Sequence, residues 1–389
     1  MATPTTPLTA KELETSLAAV VDQRSRTYGQ TFALTVRFEK DDSRAEDDSK
    51  NFQSILRAFG FAAADEYVIS AKEKLPGWDL KDRFQAMLKA AKDASDNNQG
   101  ARSLILVHYA GHGSIHANDL LVFQASSSYP RTVLFKSTFL STVLDAYSHF
   151  GPDPVTFDVV FILDSCYSGA ATRNIPQQLQ GVIEVLAAVA DNQTAFGNTA
   201  LNPRRQNKTF TSKLADQVAK IKGTAPSVTF AELIETTRAA SPINKPTHEL
   251  VRGENSTRLQ FPPSQSSSAT PSPQASLVNL TTSRYNVVFS VHITGDITYD
   301  GVKDLTRWIQ SLDPSFGMSV QGVYQCQSTG FILQAPFAIY TQLKRLPGIE
   351  MIFEATRGNR LEEFKATPTQ STPLASVSLK ENQPPKRST

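Results

Sequence analysis

Ser103-Leu104-Ile105-Leu106-Val107-His108-Tyr109-Ala110-Gly111-His112-Gly113 and Phe157-Asp158-Val159-Val160-Phe161-Ile162-Leu163-Asp164-Ser165-Cys166-Tyr167-Ser168-Gly169 share one plan. Each begins as an unbroken apolar run of strand length and ends in a small-residue loop that carries a reactive side chain. Alternating polar and apolar residues would mark a strand with one wet face, whereas a continuous run marks a strand covered on both, as in parallel sheets. Neighbouring strand ends in such a sheet lie about 5 Å apart. His112 and Cys166 can therefore meet although they are far apart in sequence.

The flanking sequence supports the same class. Phe32–Phe38 alternates as a strand, and the acidic run from Asp41 to Asp48 leads into a helix containing Phe52, Ile55, Leu56 and Phe59 that ends at Gly60. A short strand at Tyr67–Ile69, a helix through Phe84, Met87 and Leu88, and a helix near Phe139–His149 separate the quoted runs. Gly181–Ala190 reads as a further core strand, followed by helices near Phe210–Lys220 and Phe230–Ala239, with the sheet closing near Phe261. Strands alternating with helices predict an α/β fold, a mostly parallel sheet flanked by helices with its ligand site at the carboxyl ends of the strands.

Composition shifts set the expected domains. Residues 1–27 form an N-terminal segment and lead-in helix in which Thr9 is the cap and Leu13, Leu17 and Val20 share a face. Residues 28–262 form the α/β domain. Residues 263–283, rich in Ser, Pro, Gln and Thr, are read as a disordered linker. Residues 284–357 carry the order βαββαβ, which predicts a small α+β ferredoxin-like domain. The polar, basic tail at 358–389 is again read as disordered.

A net charge of +2 with no basic stripe argues against nucleic acid as a partner. No stretch approaches the roughly 18 apolar residues needed for a membrane span. The N-terminus lacks a secretory pattern, and only Cys166 and Cys326 are present, which excludes a disulfide framework and a multi-cysteine metal site. These features fit a cytoplasmic setting.

Thiol-dependent peptide cleavage needs a nucleophilic thiolate, an imidazole to protonate the leaving amine, and donors for the oxyanion. Cys166 and His112 are candidates for the first two. The backbone N–H groups of Gly113 and Cys166 are candidates for the third, since glycine beside the histidine lets the main chain approach a substrate. Against this stands the commoner role of a lone strand-end cysteine as inert packing. His108, on the strand itself, reads as a satisfied core or edge histidine, His116 as loop surface, and Cys326 as a core residue.

His108-Tyr109-Ala110-Gly111-His112-Gly113 and Asp164-Ser165-Cys166-Tyr167-Ser168-Gly169 resemble the Tyr-Ser-Gly-His-Gly and Asp-Ser-Cys-His-Ser-Gly motifs of caspases' metacaspase relatives. Ala110 stands where Ser is usual and Tyr167 where His is usual. The resemblance runs from about Thr31 to Phe261, and the Asp48–Phe52 helix ending in Gly60-Phe61 is similar to the family's Asn-Asp-Ala helix. The family likeness implies a caspase-like cysteine endopeptidase with a Cys166–His112 dyad, and roles in proteolysis, apoptosis and programmed cell death. It implies that Asp164 and Asp48 line the first specificity pocket, with Asp47 a substitute, so that protein or peptide substrates with Arg or Lys at P1 are preferred. It makes Arg173 and Arg205 candidate sites of self-cleavage. Many metacaspases use calcium, but the acidic ligands of that site have no counterpart here, so no metal of the family type and no other cofactor is expected, with calcium activation left as an alternative. A silent caspase-like scaffold is the competing reading, kept alive by Ala110 and Tyr167. The C-terminal domain carries no catalytic set and is expected to be autoregulatory or partner-binding.

Overall fold

A computed structural model describes residues 8–22, 28–98, 101–116, 120–126, 131–149, 155–172, 181–190, 195, 208–253, 255–263, 285–293, 297–313, 316–325 and 328–355, all within one compact unit. In chain order the elements are α1 (Ala10–Asp22), β1 (Tyr28–Phe38), α2 (Ala45–Ala58), β2 (Asp65–Ile69), α3 (Pro76–Asn97), β3 (Arg102–Ala110), β4 (His112–His116), β5 (Leu120–Gln124), β6 (Thr132–Leu134), α4 (Ser141–Ser148), β7 (Phe157–Asp164) and β8 (Ile183–Ala187). They continue as α5 (Phe210–Lys222), β9 (Ser227–Thr229), α6 (Phe230–Ala239), β10 (Thr247–Arg252), β11 (Arg258–Gln260), β12 (Asn286–Ile293), α7 (Tyr299–Ser311), β13 (Ser319–Gln325), β14 (Thr329–Pro336), α8 (Phe337–Leu343) and β15 (Ile349–Ala355).

The central sheet has the order β10-β8-β7-β3-β1-β2, parallel throughout except for β10. Its two central strands, β3 and β7, are buried on both faces because successive side chains alternate between two cores. Leu104, Leu106, Val160 and Ile162 pack with Phe52, Ile55 and Leu56 of α2 and with Leu214 and Val218 of α5. Ile105, Val107, Val159 and Phe161 pack with Leu80, Phe84 and Leu88 of α3 and with Val143 of α4. Each such buried side chain contributes about 1.5–3 kcal/mol relative to exposure. Thr209 caps α5 through the amide of Ser212, and Thr229 with Glu232 forms a capping box on α6.

Three details differ from the sequence reading. The main sheet closes on antiparallel β10, while the residues before Phe261 form β11, which pairs with β9 in a separate ribbon. The segment after His112 is an unanticipated antiparallel sheet, β4-β5-β6, whose short strands give little periodic signal. The helix leading to His149 opens with a π-helical turn at Lys136–Leu140. Cys326, Arg173, Arg205 and the segments 264–284 and 356–389 lie outside the described residues.

β12, α7, β13, β14, α8 and β15 build the ferredoxin-like βαββαβ module, with the antiparallel order β13-β14-β12-β15. Its apolar face joins the same core as α1, α2 and α5. Polar groups fasten it as well. Glu235 of α6 accepts from the amide of Ala338 at 2.9 Å, and Thr341 bonds Nδ1 of His248 on β10 at 2.9 Å. Glu354 accepts from Arg238, Lys245 and Tyr285.

Because the side chains of Arg238 and Glu354 are only 10% and 13% exposed, removing the carboxylate strands a desolvated guanidinium. Glu354→Ala should lower unfolding stability by about 3 kcal/mol, read as a fall in urea midpoint. An unchanged midpoint would show that solvent already screens the cluster.

Candidate functional site

Strand register sets the site. β3 and β7 pair in parallel with Ala110 opposite Asp164, and the Gly111 amide donates to the Asp164 carbonyl at 3.2 Å. His112 and Cys166 follow two residues later on each strand, so both leave the sheet at one level. They line a single cleft of about 190 Å³ together with Asp42, Asp48, Asp164, Ala195 and Thr209.

Two glycines permit the approach. A Cβ on Gly113 would sit 2.3 Å from the Cys166 carbonyl oxygen, closer than any side chain can lie, so β4 can rest on the cysteine loop only with glycine there. Gly111, at φ +142°, occupies backbone space where a side chain would meet Asp41 and Tyr109. After Cys166 the chain reverses at Tyr167, whose φ of 56° is left-handed. That conformation costs roughly 1–2 kcal/mol for a non-glycine residue. It is held by the 3₁₀ turn at Ser168–Thr172 and by the Gly169 amide bonding the Val189 carbonyl at 3.1 Å.

The Cys166 thiol is partly buried, and burial pushes its pKa up. Its sulfur lies 3.8 Å from the Ala195 carbonyl oxygen, and among the described residues it makes no hydrogen bond to His112. His112 bonds through Nε2 to Oδ1 of Asp42 in the loop after β1, and this bond holds the Asp42 carboxyl below its usual range. His108 is a core residue as expected. It is fully buried, bonds Thr35 at 2.8 Å and Thr211 at 3.1 Å, and stays neutral with its pKa lowered to about 3 by burial.

Asp48 and Asp164 come together at the floor of the cleft. Asp164 accepts from the amide and hydroxyl of Thr211 at 2.7 and 2.8 Å, and Asp48 accepts from the hydroxyl of Thr209, so the start of α5 is drawn onto both carboxylates. Burial, then the neighbouring Asp164 charge, raises the pKa of Asp48 to about 8, and burial also raises that of Asp164. Among the described residues no Lys or Arg forms an ion pair with either, and half-buried Lys213 acts on Asp164 only through its field. Asp47 points instead to solvent beside Lys50.

The sequence reading did not single out Asp41 and Asp42. The only available signal was their place in an acidic loop that follows a strand. Asp41, Asp42 and His112 bring possible ligand atoms within 4.8 Å of one another, the one such group among the described residues. Three donors fall well short of the six to eight oxygens that calcium takes. Among the described residues no helix is long and apolar enough to cross a membrane.

Residues 30–282 match the caspase domain family, well over half of the 389-residue chain, and the protein belongs to that family of peptidases. Among solved structures it is similar to the crystal structure of drICE, at 13% identity and a TM-score of 0.35, covering 61% of this chain and 96% of that one. It is also similar to Raptor of Chaetomium thermophilum, at 15% identity and a TM-score of 0.30, covering 50% of this chain and 18% of that one. Likenesses this distant carry no argument about activity. No curated protein matches the sequence.

The raised pKa of Asp48 sets a sign for stability. The folded state holds this proton up to about pH 8 while the unfolded chain releases it near 3.8, so Asp48 removes stability as pH rises between those values. Asp48→Asn keeps an acceptor for Thr209 and has no proton to lose. Its melting temperature should therefore fall less between pH 5 and pH 8.5 than that of the native chain, and equal slopes would contradict the assignment.

Proposed function

We propose that the protein is a cysteine endopeptidase in which Cys166 attacks the scissile carbonyl, His112 transfers the protons, and the Asp48–Asp164 pair selects Arg or Lys at P1. The supporting observation is the shared cleft, which has a thiol and an imidazole at its rim and two cation-free carboxylates at its floor.

Chemically, His112 takes the thiol proton and the sulfur bonds to the carbonyl carbon. Backbone N–H groups of Gly113 and Cys166 are suited to receive the oxyanion. Collapse breaks the C–N bond as the imidazolium protonates the departing amine, and water then hydrolyses the thioester by the same route. In the free chain burial keeps the proton on the thiol, whose hydrogen bond among the described residues goes to the Ala195 carbonyl and not to the imidazole, so peptide binding must bring thiol and imidazole into contact. That same geometry favours, as a second reading, a scaffold that binds peptides without cutting them.

Two buried acids packed against each other without a cation destabilise the empty fold, and such perturbed pairs cluster at functional sites. A guanidinium bound between them would release the shared proton and receive bidentate hydrogen bonds.

Fluorogenic peptides ending in Arg, Lys, Asp or Gln test this directly, with and without chelator. Turnover should favour Arg and Lys, persist in chelator and disappear in Cys166→Ala. Asp164→Asn should lower kcat/KM for Arg about 10- to 100-fold while sparing Gln. Because Asp48 titrates near pH 8, KM for Arg peptides should fall as pH rises toward and through that value, with KM for Gln peptides flat. Preference for Asp would overturn the pocket assignment. Peptide binding with no turnover in any condition would establish the scaffold instead.

A further inference from the structure

The loop after β1 contributes a group that no motif assigns. We propose that Asp42 is a positioning residue that holds the His112 imidazole through Nε2 and thereby directs Nδ1 toward Cys166, completing a Cys–His–Asp relay drawn from three adjacent strands. The inference rests on the peptidase reading above and extends it.

An ionised carboxylate can only accept, so its bond to Nε2 requires the proton to sit on Nε2 and leaves the Nδ1 lone pair free as the base. Without a partner, a neutral imidazole exchanges between tautomers and rotates about its side-chain bonds. A fixed acceptor removes both freedoms and stabilises the imidazolium once it forms.

The loop is built to hold that acceptor in place. Asp41 accepts from the amide of Ser43 at 2.7 Å and from its hydroxyl, closing a turn around Asp42. The missing side chain of Gly111 lets the Asp41 carboxylate come over the β3 end, where a Cβ would lie 2.7 Å from Oδ2. β1 lies directly beside β3 in the sheet, so the loop after β1 starts at the level of His112.

Exposure sets the size of the effect. The Asp42 side chain is 76% exposed and His112 33%, so water screens the pair far more than in a buried triad. The loss on removal is accordingly modest, about 5- to 30-fold rather than the roughly 10⁴-fold seen where such an acid is buried.

Substrates that differ only in the leaving group separate positioning from general damage. Expulsion of an amine needs a proton from a correctly oriented imidazolium, whereas expulsion of 4-nitrophenolate does not. With the full-length chain, and with the P1 residue that the peptide panel selects, Asp42→Asn should lower kcat for the aminomethylcoumarin amide about 5- to 30-fold. It should leave KM within twofold, lower kcat for the matching 4-nitrophenyl ester less, and recover in Asp42→Glu. Equal losses on amide and ester, or no loss on either, would refute the assignment while leaving the peptidase standing. If even the native chain turns over neither substrate, the peptidase reading fails by itself, and imidazole ¹⁵N spectra still decide the question for Asp42. His112 should be the Nε2–H tautomer in the native chain and a mixture in Asp42→Asn, and the same tautomer distribution in both would overturn it.

Discussion

The parallel pairing of β3 with β7, buried on both faces, is the constraint from which the site follows. Once Ala110 lies opposite Asp164, the next residues on each strand have nowhere to go but over the same edge of the sheet, and the Gly111 amide closes the gap by bonding the Asp164 carbonyl. A slip of one residue would turn every side chain on a strand to the opposite core, where it would meet the wrong helices. The apolar packing of α2, α3, α4 and α5 therefore fixes the level of His112 relative to Cys166 without any direct bond between them. Precision at the reactive edge comes from the core and not from the loops.

The buried acids show what that rigidity supports. A helix start needs acceptors for its free amides, and Asp164 provides one to Thr211 while the Thr209 hydroxyl accepts from the next amide, that of Ser212. One carboxylate would satisfy this role. Asp48 adds a second next to the first, and the pair stays partly protonated because neither burial nor mutual repulsion tolerates two charges. Stability and recognition pull in opposite directions here: the arrangement that would hold a cationic side chain best is the one the empty protein holds at a cost.

Beyond the sheet, the βαββαβ module is fastened at several depths. Glu184, fully buried on β8, accepts from His248 and from Ser256, and His248 in turn bonds Thr341 of α8. Leu8, just before α1, bridges to Ile293 of β12, so the start of the chain is packed on the module as well. Since β8 lies beside β7 and Val189 just after it secures the cysteine loop, the module supports elements one strand removed from Cys166. Buried polar groups leave little freedom to slide, because each would lose its partner in a place water does not reach.

Much of this was legible in the chain itself. Continuous apolar runs specified β3 and β7 as doubly covered strands, alternation with amphipathic helices specified the sheet, and the residues at the two strand ends pointed to the thiol and imidazole. Asp164 and Asp48 entered through a family likeness, and their juxtaposition needed α5 to bind both. The short β4, β5 and β6 went unread because strands of three to five residues leave too few periods to distinguish from loop. Asp42 was hidden for a different reason. A sequence states which residues leave a strand end but not which strands are neighbours, and only the order β7-β3-β1 brings the loop after β1 against His112. Local composition determined the elements and their reactive ends, whereas strand order, a property of long-range packing, decided which of those ends meet.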